Sequence, residues 1–137
     1  MTVERPEVLF VCVHNAGRSQ MAAHFFRHLA DPAKATAISA GTQPAVRVNP
    51  VVVAAMAEVG LDVSGAVPQR LTPALCDGAD RLFTMGCGDE CPHVPGLRID
   101  DWPLPDPRGK ELAAVRAIRD EVRARVAALV AAEGWSR

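Results

Sequence analysis

Residues 7–21 read EVLFVCVHNAGRSQM. The run from Glu7 to Val13 is apolar and rich in β-branched side chains, the composition of a strand buried on both faces. From Ser19 the period changes. Met21, Ala22, Phe25 and Leu29 recur at helical spacing until Asp31 and Pro32 close the segment. The join, residues 12–18, is a strand-to-helix loop with a cysteine at one end and an arginine at the other.

The same alternation continues outward. ATAISAG predicts a second strand ending at Gly41, and VNPVVVAAMAEVG a helix capped by Asn49, started by Pro50 and stopped at Gly60. LTPALCDGA repeats the device with Thr72 and Pro73, DRLFTM predicts a third strand, and GLRID a short fourth. Residues 86–110 are rich in Gly and Pro, and so long an irregular stretch in a small protein is expected to be either functional or disordered. In the last segment Leu112, Val115, Ile118, Val122, Val126 and Leu129 form one helical stripe. Arg119, Arg123 and Arg125 lie off it and are expected on a solvated face. The fold class is therefore α/β: one domain over residues 1–137, a four-stranded parallel sheet flanked by helices. Right-handed crossovers place all strand-to-helix loops at the carboxyl edge. Cys12, Cys87 and Asp106 follow three different strands and converge there, where open sheets of this kind bind ligands.

Composition narrows the classes of function. The chain has 137 residues, 49% hydrophobic and 23% charged, with a formal net charge of −1. That balance offers no electrostatic case for nucleic acid or an anionic membrane as partner. No stretch reaches the roughly 18 apolar residues of a spanning helix, and MTVERPEV lacks a signal-peptide core. A cytoplasmic monomer is expected. In that compartment the four cysteines are expected to be reduced, so catalytic, metal-binding or buried roles outrank structural bridges.

A loop opening a helix presents backbone N–H groups at the positive end of the helix dipole, a nest suited to an oxyanion. Residues Cys12, Val13, His14, Asn15, Ala16, Gly17 and Arg18 would form it. Arg18 adds a planar fork of donors matched to two oxygens of a tetrahedral anion, and Gly17 lets the backbone turn closely. The same field favours the thiolate form of Cys12. A cation and N–H groups would hold the anion while a thiolate attacks its central atom. A packed small hydrophobe is the plainer alternative for Cys12.

VCVHNAGRSQMA resembles the phosphate loop of the low-molecular-weight tyrosine phosphatase superfamily, and in particular its arsenate reductases. The resemblance extends through SAGT, VNPVVVAAMAEVG, FTMGCGDECP and DDWPLPDPRG, nearly the whole chain. It implies the phosphatase-like fold and either of two activities. The phosphatases carry aromatic residues after their Asp-Pro, whereas here Arg108 and Gly109 follow Asp106-Pro107, and tyrosine is absent. Cys87 and Cys91 offer two more sulfurs, and in one helical turn their spacing puts the Cα atoms roughly 6 Å apart, within disulfide range. Arsenate reduction is therefore expected, in arsenical resistance and detoxification, with a phosphomonoesterase as the alternative. A module that binds oxyanions without turnover is a third.

By the resemblance, Cys12 attacks arsenate, Asp106 is the general acid, Ser19 hydrogen-bonds the Cys12 sulfur and Asn15 shapes the loop. Cys87 and then Cys91 carry oxidation away as a disulfide, reset by thioredoxin or by a glutaredoxin-like or mycothiol route. Phosphate or sulfate would compete with arsenate. Two departures stand out. Many relatives separate the second and third cysteines by seven residues rather than four, which implies a smaller movement here. They also carry a potassium-binding glutamate where this chain has Ala23, so no cofactor or metal is assigned. His14 stands where a small residue is common, and is expected to face solvent rather than tune Cys12. Cys76 is expected as buried filler. Cys87, Cys91 and His93 could form half a zinc site, but no second ligand pair appears. His24 and His28 lack an evident acidic partner and are expected on a solvated face.

Overall fold

A computed structural model describes residues 5–86 and 94–137. Its elements run β1 (Glu7–Cys12), α1 (Arg18–Leu29), β2 (Thr36–Gly41), α2 (Pro50–Ala57), α3 (Pro73–Gly78), β3 (Arg81–Thr84), β4 (Arg98–Asp101) and α4 (Leu112–Ala132). The strands form one parallel sheet in the order β2-β1-β3-β4. This is the α/β architecture expected, with element ends shifted by a residue or two.

The apolar run of β1 serves both faces of the sheet. Val8, Phe10 and Cys12 point into the larger core, with Met21, Phe25 and Phe26 of α1 and Val115, Val122 and Val126 of α4. Leu9 and Val11 point into a smaller one with Leu82 and Cys76, which α3 supplies. Phe10 anchors the larger core, its ring 6.1 Å from Phe26, 5.6 Å from Phe83 and 5.8 Å from Trp102. The order of connection reverses between β1, which leads out to β2, and β3 on its other side, while all strands stay parallel. The crevice of a doubly wound sheet opens at that point.

Local chemistry sets the helix ends. The Asn49 side chain accepts from Val51 N and the Thr72 hydroxyl from Leu75 N, each one position before a proline. Regular α-helix stops at Ala57, short of the predicted Gly60. The chain closes through Gly60 N to Ala57 O and Leu61 N to Met56 O, with Gly60 at φ +81°. This is the double bond pattern of a glycine-stopped helix.

Arg119 departs from expectation. It is 9% exposed rather than solvated. Its Nη1 donates to Ala55 O at 2.9 Å and to Glu58 at 2.8 Å, and its Nε to Asp120 at 2.9 Å. The helical stripe omits it because its partner lies on α2's end. Glu58 also receives Arg116 at 2.6 Å. The Arg116 hydrogen bond, with Arg119's behind it, holds the Glu58 carboxyl down from 4.5 to about 2. A carboxylate depressed by folding stabilises the native state above its unfolded value and loses that contribution as pH falls through its folded one. Thermal melts should therefore show Glu58→Gln less stable than wild type at neutral pH. The gap should close between pH 4.5 and about 2. A gap independent of pH would place the effect elsewhere.

Among the described residues no helix is long and apolar enough to cross a membrane.

Candidate active site

The loop after β1 is built from the outside in. Its carbonyls are tied outward: Cys12 O accepts from Thr42 N, Val13 O from Gln43 N, His14 O from Ala45 N and Ala16 O from Asn49 N. Gly17 O takes Met21 N as the first bond of α1. Peptide planes fixed this way leave N–H groups on the inner side. Those of residues 13–17 find no acceptor among the described residues. Such a convergent set of donors at a helix start is an anion nest.

Asn15 makes the sharpest turn, at φ +50°, a conformation asparagine tolerates better than most residues. It is fully buried, and both polar atoms of its side chain are hydrogen-bonded. Its Oδ1 accepts from Gln69 N at 3.0 Å and Gln20 Nε2 at 3.2 Å, and its Nδ2 donates to Ser19 Oγ at 2.7 Å. Ser19 Oγ in turn lies 2.8 Å from Cys12 Sγ. Accepting from Asn15 leaves the hydroxyl its own proton, which it can give to the sulfur. Cys12 is 2% exposed, at the floor of a cleft of about 350 Å³.

Arg18 is buried and its fork is shared between protein and cleft. Nη1 donates to Leu104 O at 3.0 Å and, more distantly, to Gly86 O at 3.5 Å. Nη2 lies 3.8 Å from Asp106 Oδ2. Nε is buried with no partner among the described residues. A native protein seldom leaves a charged buried donor so, unless a ligand takes it. The side chain of Asp106 is 42% exposed, and its Oδ1 accepts from Arg108 N at 2.9 Å, leaving Oδ2 toward Arg18.

Close approach depends on two glycines. A Cβ on Gly17 would stand 2.5 Å from Pro107 Cγ, so Gly17 lets Pro107 pack on the loop. Gly86, at φ +82°, gives the Arg18 side chain room, since a Cβ there would lie 2.8 Å from Nη1.

The structure thus brings Cys12, Arg18, Ser19, Asn15 and Asp106 together. Cys87 and Cys91, and His93 with them, lie outside the described residues. Cys76 is buried beneath the sheet, and that burial pushes its thiol up. Ala23 is wholly buried and carries no oxygen. Two expectations fail. His14 does not face solvent: it lines the cleft, with Nδ1 3.2 Å from Gln43 O and Nε2 3.3 Å from Arg108 Nη1. His24 is half-buried, not solvated, and bonds Gln20 O at 2.8 Å. Burial lowers its pKa, while Asp62, 38 positions along the chain, supplies the acidic neighbour the local sequence lacks. Sequence reasoning also missed Arg47 and Arg108 at the cleft mouth. Arg108 had a signal, its place directly after Asp-Pro, but was read only as a missing aromatic. No aromatic side chain lines the cleft among the described residues.

A family model described as low molecular weight phosphotyrosine protein phosphatase matches residues 7–133. A putative arsenate reductase of Halobacterium salinarum is 38% identical over 123 residues, 85% of either chain. A glutaredoxin arsenate reductase of Synechocystis is 37% identical over 128 residues, 91% of this chain and 96% of its own. Among solved structures, a thioredoxin-dependent arsenate reductase of Corynebacterium glutamicum superposes with a TM-score of 0.82 at 37% identity. That match covers 96% of this chain but only 63% of the other. The chain belongs to the low molecular weight phosphotyrosine protein phosphatase family and stands with the arsenate reductases within it.

Proposed function

We propose that this protein reduces arsenate to arsenite in the cytoplasm, as a detoxifying enzyme. The observation that carries the reading is a cleft lined by both Cys12 and Arg18, whose buried Nε has no partner among the described residues. The loop N–H groups and Arg18 hold three oxygens of the anion, and phosphate or sulfate compete for the same donors. Cys12, as thiolate, forms a bond to arsenic. The departing oxygen takes a proton from Asp106 Oδ2 and leaves as water. Ser19 Oγ, 2.8 Å from the sulfur, is placed to hydrogen-bond it as it attacks.

Reduction then needs a second thiol, and Cys87 is the residue assigned. Its thiolate attacks the Cys12 sulfur, the sulfur–arsenic bond breaks, and its electron pair stays on arsenic, now arsenite. Two thiols have become the Cys12–Cys87 disulfide, a loss of two electrons that matches arsenic's gain. Cys91 attacks Cys87, which frees Cys12 and leaves a Cys87–Cys91 disulfide. A dithiol protein of the thioredoxin class reduces that pair by the same exchange chemistry. The relatives' names divide between thioredoxin and glutaredoxin, so both belong in the assay.

The purified chain with arsenate, thioredoxin and thioredoxin reductase should produce arsenite, and one turnover without reductant should leave a Cys87–Cys91 linkage by mass spectrometry. An arsenic–thiol adduct with added small thiol would redirect the second half of the cycle. Hydrolysis of p-nitrophenyl phosphate far faster than arsenate loss, and indifferent to Cys87 and Cys91, would replace this reading with the phosphatase one.

A further inference from the structure

His14 forms an unanticipated junction. Its ring has one neighbour on each nitrogen: Gln43 O at 3.2 Å from Nδ1 and Arg108 Nη1 at 3.3 Å from Nε2. A carbonyl only accepts and a guanidinium only donates. The tautomer is thereby fixed: Nδ1 carries the hydrogen and Nε2 accepts. Arg108 reaches His14 with its side chain while its backbone N–H holds Asp106 Oδ1 at 2.9 Å. Pro107, between them, packs over Gly17. The imidazole therefore joins the oxyanion loop, the segment after β2 and the loop that carries the acid, across 94 positions of sequence.

We propose that His14 is a positioning residue: by accepting from Arg108 it holds the Asp106 loop down on the oxyanion cradle. The inference rests on the arsenate-reductase reading for its effect on rate, though not for its geometry. Held this way, Asp106 keeps Oδ1 on the Arg108 N–H and presents Oδ2 to the bound anion. Without the contact, Arg108 loses its hydrogen bond to the cradle, and the acid samples positions too far from the departing oxygen. Misplacement of about 1 Å at such a group is enough to slow chemistry strongly. The anion's own donors, the loop N–H groups and Arg18, are not involved, so affinity should be spared.

The test combines four variants with three readouts. In single-turnover arsenate consumption, His14→Ala and Arg108→Ala should each lose about tenfold. The double variant should be no slower than either alone, because the two act as one unit. His14→Gln, whose amide oxygen can accept from Arg108 without titrating, should recover most of the rate. Calorimetric phosphate affinity should fall much less than the rate in the His14 variants, which keep the loop N–H groups and Arg18, whereas Arg108→Ala also removes a cation from the cleft mouth. Losses that multiply in the double variant, a glutamine no better than alanine, or a loss confined to phosphate affinity would each overturn the proposal. The third readout needs no turnover. Long-range proton–nitrogen NMR at about pH 8.5, where imidazole is neutral, should find Nε2 unprotonated in wild type and released from that state in Arg108→Ala. A protonated Nε2 in wild type would reject the contact outright. Absence of arsenate turnover, with the NMR result intact, would count against the enzymatic reading instead.

Discussion

Cys12→Ser is expected to lower arsenate turnover by at least about 10⁴-fold, the scale on which removing a nucleophile acts. Serine keeps a small polar atom on the cleft floor, so the carbonyl ties of the loop should survive. Its hydroxyl, however, is not ionised by a hydrogen bond from Ser19, and oxygen cannot supply the disulfide that arsenic reduction requires. Phosphate should still bind, because its donors are the loop N–H groups and Arg18. Calorimetry with phosphate and an arsenite assay on the same preparation separate the two. Turnover within tenfold of wild type would leave the sulfur without a role.

Arg18→Lys is expected to behave differently and to lose both functions. An ammonium keeps the charge but is a single point, whereas the guanidinium divides its donors among Leu104 O, Gly86 O, the Asp106 carboxylate and the anion. Lysine cannot serve these together, and the two carbonyls would lose their donor. Loss of one preorganised oxyanion donor typically costs about 10²–10³-fold in rate. A fall of that size in kcat/KM is expected, accompanied by weaker phosphate binding. A variant that bound phosphate as well as wild type would show that the buried Nε has no part in holding the anion.

Much of this was legible in the residue order, for identifiable reasons. The first two strands and the fourth lead into segments with helix signals, and Asn49-Pro50 and Thr72-Pro73 are chemically unambiguous starts. The spacing of Cys12, Arg18 and Ser19 is local, so their meeting is decided by one turn of chain. Asp106 needed one further step, the rule that places strand ends on a common edge. What stayed hidden is what depends on partners far along the chain or on groups every residue shares. The carbonyls that orient Arg18 belong to Leu104 and Gly86, and a carbonyl has no letter in a sequence. His14 looked like a surface residue because its partner is Arg108. Arg119 looked solvated because helical geometry sorts side chains by angle and takes no account of Glu58, 61 positions earlier. Cys87 and Cys91 are assigned by the sequence, and the single-turnover linkage tests that assignment.

The bonds that turn four loop carbonyls outward come from Thr42, Gln43, Ala45 and Asn49. The mould for the guest is thus cast by the connection between the second strand and second helix, and it is cast by backbone atoms. Side chains along that connection are free to vary as far as this bracing is concerned, but its length is not. One residue inserted or deleted there would slide every brace out of step with the peptide it secures. Evolution would then meet a stretch tolerant of substitution and intolerant of change in count.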